Sequence, residues 1–250
     1  PGSSGDIIEV PPRPNAFRPS WLGTSLQQIL RPASHFPSAS RRDATTPPNF
    51  PPSMLPIPPG TTALLFDCDG TLADTMALHY AAWHETLLRY GVDCPRSFID
   101  THAGVPTHGI VAEVNKLWGT QLDCEAIIEE KEARFAERIH HAVPIDEVLA
   151  TAQAYRGKLP MAVVSGGTRE MVHAILETID AIDLFPVIIT ASDPVAPKPS
   201  PDVFLEAARR LGVAARQCHV FEDGDPGIVA AQRAGMTYTD VRLVLQAKAS

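Results

Sequence analysis

Thr62-Ala63-Leu64-Leu65-Phe66-Asp67-Cys68-Asp69-Gly70-Thr71 runs on through Leu72 and Ala73 to Asp74-Thr75. An apolar, β-prone run stops abruptly at Asp67, and Asp74-Thr75 stands where a helix should start. The pattern predicts a buried strand that carries two carboxylates to its C-terminal end. Ligand sites of open α/β sheets lie at that edge. An acidic turn after a strand often only solubilises a loop. Here Gly70-Thr71 adjoins it, and three further polar clusters follow at predicted strand ends.

Downstream, Met76, Tyr80, Trp83, Leu87 and Leu88 recur at helical spacing, with Asp74 or Thr75 to cap the start and Gly91 to stop the end. Residues 107–118 repeat the pattern with Ile110, Val111, Val114, Leu117 and Trp118. A helix from Asp123 carries Ile127, Ile128, Phe135 and Ile139, and another runs from Asp146 to Arg156. Helices without a clear strand between them exceed the single helix a parallel crossover needs. Residues 75–145 are therefore expected to be an inserted helical cap.

From Met161 the chain alternates. Strands are predicted at Met161–Val164, Val187–Thr190, Gln217–Phe221 and Met236–Asp240. The intervening helices begin at Thr168, at Ser200-Pro201 with proline in the first helical position, and in the alanine-rich stretch before Gly235. The expected fold is α/β: a Rossmann-like, mostly parallel sheet covered by helices, built from residues 59–74 and 146–250. Residues 1–58 are punctuated by prolines such as Pro11-Pro12, Pro47-Pro48 and Pro58-Pro59, so they are expected to be largely irregular. Trp21, Leu22, Leu26, Ile29 and Leu30 could form one short helix there. This stretch lacks the pattern of a signal peptide.

The 250-residue chain has a hydrophobic content of 44% and a formal charge of −8, which argues against nucleic acid as a partner. No run approaches the roughly 18 apolar residues of a membrane span. Cys68, Cys94, Cys124 and Cys218 show no metal or disulfide spacing and suit reduced residues of a cytoplasmic protein.

Four predicted strand ends carry polar groups: Asp67 and Asp69; Ser165; Lys198; and Glu222 with Asp223. So many carboxylates at one edge repel one another unless a cation joins them. Oxygen donors without His or Cys favour Mg2+. With Lys198 beside the metal, the natural ligand is an anion such as phosphate. Asp67 can attack phosphorus, and Asp69, two residues on, can protonate the leaving oxygen and then activate water. Thr71 and Ser165 suit the non-bridging oxygens, and Gly166-Gly167-Thr168 leads into a helix N-terminus that favours anions.

These motifs resemble those of the haloacid-dehalogenase-like superfamily: Asp67-Cys68-Asp69-Gly70-Thr71, Ser165, Lys198 within Pro197–Asp202, and Glu222-Asp223-Gly224-Asp225. The resemblance runs from about Thr62 to Leu243. It implies an aspartyl-phosphate nucleophile at Asp67 and an acid/base at Asp69. The implied metal ligands are the Asp67 carboxylate, the Asp69 carbonyl, Asp223 and Glu222, with Lys198 bridging nucleophile and phosphoryl group. Dehalogenases of the superfamily place an aromatic residue where Asp69 stands, so phosphate-ester chemistry is the expectation.

Asp74-Thr75, His79 and Trp83 are similar to the sugar-phosphate branch of β-phosphoglucomutases and of fructose-1-phosphate and 6-phosphogluconate phosphatases. In that branch the histidine faces the active site, and Lys131 matches a cap lysine. His79 and Lys131 are thus candidate substrate contacts. The mutases hold the distal phosphate with a lysine and an arginine at positions that are Ala103 and Thr107 here. Hydrolysis of a small sugar or polyol monophosphate is the expected activity, with fructose 1-phosphate and 6-phosphogluconate as first candidates from the resemblance and a mutase as the alternative. The partner would be a small phosphorylated metabolite, and the enzyme a monomer.

Overall fold

The computed structural model describes residues 54–249 apart from 103, 104 and 106. The short helix expected at Trp21–Leu30 and the Ala103 position lie outside the described residues. Met54–Pro58 form no regular element, but Leu55 is buried and its amide donates to Thr151 Oγ1 at 2.9 Å.

Five strands form one parallel sheet: β1 (Ala63–Phe66), β4 (Met161–Val164), β5 (Val187–Ile189), β6 (Cys218–Glu222) and β7 (Thr237–Asp240), in the order β5-β4-β1-β6-β7. β1 is central and buried throughout. Its side chains alternate between faces, as pleating demands. Leu64 and Phe66 join Met161, Val163 and Phe221 on one face, whereas Ala63 and Leu65 join Ala162, Val164 and Val220 on the other. Phe66 stacks on Phe221 with ring centres 4.9 Å apart.

The first face is covered by α5 (Asp146–Tyr155), α6 (Arg169–Thr178) and α9 (Val241–Ala249). The second packs against α7 (Asp202–Leu211) and α8 (Asp225–Arg233). The result is a three-layer α/β/α core of Rossmann-like type with a helical insertion. Proline 201 stands one residue ahead of the expected place, as the N-cap of α7.

The insertion contains α1 (Met76–Arg89), α2 (Arg96–Thr101), α3 (Thr107–Trp118) and α4 (Cys124–Arg138). Trp83, Leu87, Phe98, Ile110, Val114 and Ile127 belong to a separate apolar cluster, with Trp118 packed against it. Leu88 and Leu117 instead point outward. The inward stripe passes beside them, because a helix facing one neighbour buries only part of its circumference. Two strands appear where none was expected. β2 (Ala73–Asp74) and β3 (Val143–Pro144) pair antiparallel, and this two-residue ribbon closes the insertion at its root.

Candidate active site

Sheet register brings the polar groups together. Leu65 pairs with Ala162 and with Val220, so β1, β4 and β6 end nearly level. The ladder continues one step through Asp67 N to Phe221 O and Ser165 N to Ile189 O. The chain beyond those bonds turns away and leaves Asp67, Ser165 and Glu222 at the rim.

Lys198 comes from the loop after β5 and reaches across. Its Nζ lies 2.6 Å from Asp67 Oδ1 and 2.7 Å from Glu222 Oε2. All three residues are nearly shielded from solvent. Oxygens of Asp67, Glu222 and Asp223 lie within 4.8 Å of one another. Thr71, fully buried, donates its hydroxyl to Asp223 Oδ1 at 3.0 Å, so that hydroxyl holds a carboxylate in place. Gly70 has φ +78°, and a side chain on it would meet Asp223 Oδ2 at 2.2 Å. Only glycine permits both the turn and this approach. Glu222 Oε1 accepts from Gly224 N at 3.1 Å.

One ammonium does not balance three carboxyls, of which Asp67 and Glu222 are buried and Asp223 half-buried. Burial pushes Glu222 up to about 8, with repulsion from Asp67 adding to it against the pull of Lys198. Burial, then Asp67, raises Asp223 to about 7. Burial also raises Asp67, against the attraction of Lys198. Opposed by burial, Lys198 is nonetheless held charged by Asp67 and Glu222. An oxygen-only donor set with a shortfall of positive charge fits a divalent cation of Mg2+ type. Cys68, between the two aspartates, is buried, and burial and both carboxylates raise its thiol well above its ordinary value. It is a packed side chain rather than a nucleophile.

Asp69 faces the other way. Its Oδ1 accepts from Thr75 Oγ1 at 2.6 Å and meets His79 Nε2 at 3.0 Å. Thr75 is the N-cap of α1 but makes no side-chain capping bond, because its hydroxyl is directed to Asp69. His79 Nδ1 lies 3.2 Å from Lys131 Nζ. An ammonium only donates, so Nδ1 accepts and Nε2 carries the proton offered to Asp69. His79 stacks on Phe135 with ring centres 4.0 Å apart, and Lys131 Nζ lies 5.2 Å from the same ring centre. Burial raises the Asp69 carboxyl, but His79, Thr75 and Lys131 together bring it below its usual value.

Ser165 is buried and its Oγ accepts from Gly167 N at 3.0 Å, while Gly166 is exposed at the rim. Every expected site residue thus falls on one sheet edge or on the insertion facing it. Three participants were not anticipated. Thr75 was read as a cap and as part of the Asp74-Thr75 match, not as a partner of Asp69. Glu132, whose Oε1 is 2.9 Å from Lys131 Nζ, shows no signal beyond its position next to that lysine. Asp193 joins two of the rim loops: its Oδ2 is 2.7 Å from Arg169 Nη2 and accepts from Thr190 N at 2.9 Å, and its Oδ1 is 3.0 Å from Arg210 Nη2.

Known proteins resemble this chain. The chain is 35% identical over 181 residues to fructose-1-phosphate phosphatase YqaB of Escherichia coli (strain K12), an alignment covering 72% of this chain and 96% of that protein. Validoxylamine A 7'-phosphate phosphatase of Streptomyces hygroscopicus subsp. limoneus is 33% identical over 174 residues, covering 69% and 81%. The crystal structure of CbbY from Rhodobacter sphaeroides in complex with phosphate superposes with a TM-score of 0.62 at 26% identity, covering 71% of this chain and 84% of that one. Residues 64–241, from the first strand to the start of the last helix, match the family of haloacid dehalogenase-like hydrolases, and this chain belongs to it.

Proposed function

We propose that the enzyme hydrolyses small sugar or polyol monophosphates through an aspartyl-phosphate on Asp67, with Mg2+ as cofactor. The observation that carries this reading is Lys198 Nζ held between Asp67 and Glu222 beside Asp223. Asp67 and Glu222, with Asp223 and the Asp69 carbonyl, would hold the metal. When bound, magnesium supplies the charge that lets these carboxylates face an anion and polarises its oxygens.

Asp67 is the nucleophile: its free oxygen bonds to phosphorus as the ester oxygen departs. Lys198 orients Asp67 and neutralises charge on the transferring group. Asp69 first takes up a proton on the oxygen that Thr75 and His79 leave free, gives it to the leaving alkoxide, and then accepts one from the water that attacks the aspartyl-phosphate. Ser165 Oγ and the Gly166 amide bind non-bridging oxygens at the start of α6, with the Gly167 amide orienting Ser165. His79 and Lys131 hold Asp69 on the cap side and line the space for the sugar.

We infer a division into a core of residues 59–74 and 146–250 and a cap of 75–145, hinged at the β2–β3 ribbon. Closure of such a cap excludes water during transfer. It also restricts the substrate to small metabolites. Among the described residues no helix is long and apolar enough to cross a membrane, and all four cysteines are free thiols. The free thiols suit a cytoplasmic enzyme, which we propose acts as a monomer. Thr107 and Ala103 at the mutase clamp positions favour hydrolysis over mutase activity. Release of inorganic phosphate from a panel of sugar phosphates, beside a glucose 1-phosphate to glucose 6-phosphate conversion assay, tests the reading. Phosphate release with Mg2+ supports it, and conversion without release overturns it.

A further inference from the structure

Residues 75–145 hold six lysines and arginines against ten aspartates and glutamates. Each of those six cations already has a carboxylate. Arg89, Arg134 and Arg138 reach Glu85 and Glu130 between α1 and α4. Arg96 and Lys116 pair within their own helices. Lys131, the one that approaches Asp69, pairs with Glu132 at 2.9 Å.

This last pair differs from the rest in its surroundings. The Lys131 side chain is 4% exposed and that of Glu132 is 16% exposed, so water screens them poorly. Lys131 Nζ gives one N–H to Glu132 and another to His79 Nδ1, with Trp83 and Phe135 beneath it. One N–H remains, and Glu132 keeps its second oxygen. The core adds no uncommitted charge from Arg169, which is paired with Asp193, or Arg242, which is paired with Asp225 and Asp240.

From this we infer that Glu132 is a specificity determinant that restricts the enzyme to monophosphates of uncharged polyols. The inference rests on the phosphatase reading above. A donor and an acceptor side by side suit hydroxyl groups of a neutral leaving alcohol. A second anionic group on that alcohol would meet the Glu132 carboxylate, and Lys131 is already neutralised by it. A like charge brought close in a screened-off site costs far more than it does in water. Specificity then comes from repulsion of the wrong substrate as much as from attraction of the right one.

The cleanest comparison is sorbitol 6-phosphate with 6-phosphogluconate, which differ only in a hydroxymethyl group exchanged for a carboxylate. Steady-state kinetics with Mg2+ should be run on both, and on p-nitrophenyl phosphate, for the wild type and Glu132→Gln. The wild type should favour sorbitol 6-phosphate in kcat/KM by at least about tenfold, and Glu132→Gln should shrink that ratio about tenfold, mainly through KM for 6-phosphogluconate. Equal wild-type kcat/KM on the two esters overturns the inference. So does a Glu132→Gln variant that changes all three substrates alike, which would make Glu132 a support for the cap fold. Absence of phosphate release from every ester, the aryl phosphate included, removes the phosphatase reading itself and the inference with it.

Discussion

His79 on the first cap helix sits with its Nε2 3.0 Å from Asp69 Oδ1 at the end of the central strand's loop. In the proposed mechanism, this contact ties the group that moves a proton to the element that closes over the substrate. Lys131 sets the imidazole tautomer from the opposite side. Asp69 is therefore held by the cap, whereas Asp67 is held by the core through Lys198.

Removing His79 is expected to impair proton transfer while sparing the fold, because His79 is partly exposed and packs mainly on Phe135. His79→Ala should lower kcat by roughly ten- to a hundredfold on esters of poor leaving groups. The loss should be much smaller on p-nitrophenyl phosphate, whose leaving group needs no protonation. His79→Gln, which retains an N–H donor, should recover part of the rate. An equal loss on alkyl and aryl esters would show that His79 does not act through Asp69.

Metal removal should expose the charge conflict among the carboxyls. Glu222 is raised from 4.5 to about 8 and Asp223 from 3.8 to about 7, so the folded chain keeps protons that the unfolded chain releases. Rising pH across that interval then favours the unfolded state. In EDTA, Tm should fall between about pH 5 and about pH 8. Mg2+ should raise Tm at the upper end and do little at the lower. A flat EDTA profile, with no shift on adding Mg2+ at pH 8, would contradict this assignment of the metal site.

Asp193 braces the rim from outside. It links Thr190, at the end of β5, to Arg169 in the first turn of α6 and to Arg210 on α7. Two anchored loops thereby keep a fixed separation, one carrying Lys198 and the other Ser165-Gly166-Gly167. Asp193→Ala should destabilise the protein by roughly 2 kcal/mol, since it leaves the buried Thr190 amide and the Arg169 guanidinium without their acceptor and Arg210 with Glu206 alone. KM should rise for every ester, aryl phosphate included, because the phosphate site itself is loosened. Unchanged KM with lowered Tm would reduce Asp193 to a purely structural brace.

Much of this architecture was legible because its signals are long or chemically unusual. β1 and β4 are uninterrupted apolar runs, each ending in a polar residue, and such runs read clearly as buried strands. The antiparallel pairing at the root of the insertion was not legible. Ala73–Asp74 and Val143–Pro144 are two residues each, too short to display a period of two. The six residues of Arg96–Thr101, with buried Phe98 and Ile99, likewise form a helix too short to show a stripe. The helix Val241–Ala249 follows its strand without an intervening turn signal. In the site, the carboxylates and lysine stood out by residue type and position. Thr75 and Glu132 did not, because a helix cap and a charged helical residue look alike whether or not they face an active site.

The central claim is that Asp67 carries the phosphoryl group. It is tested most directly by quenching the enzyme with acid during turnover with Mg2+, reducing with borohydride and sequencing the peptides by mass spectrometry. An aspartyl-phosphate is reduced to homoserine, whereas a free carboxylate is not. Homoserine at position 67 alone, dependent on both substrate and Mg2+ and absent from Asp67→Asn, is the predicted result. Steady phosphate release with no reduced residue, or with the reduction at another aspartate, would contradict it.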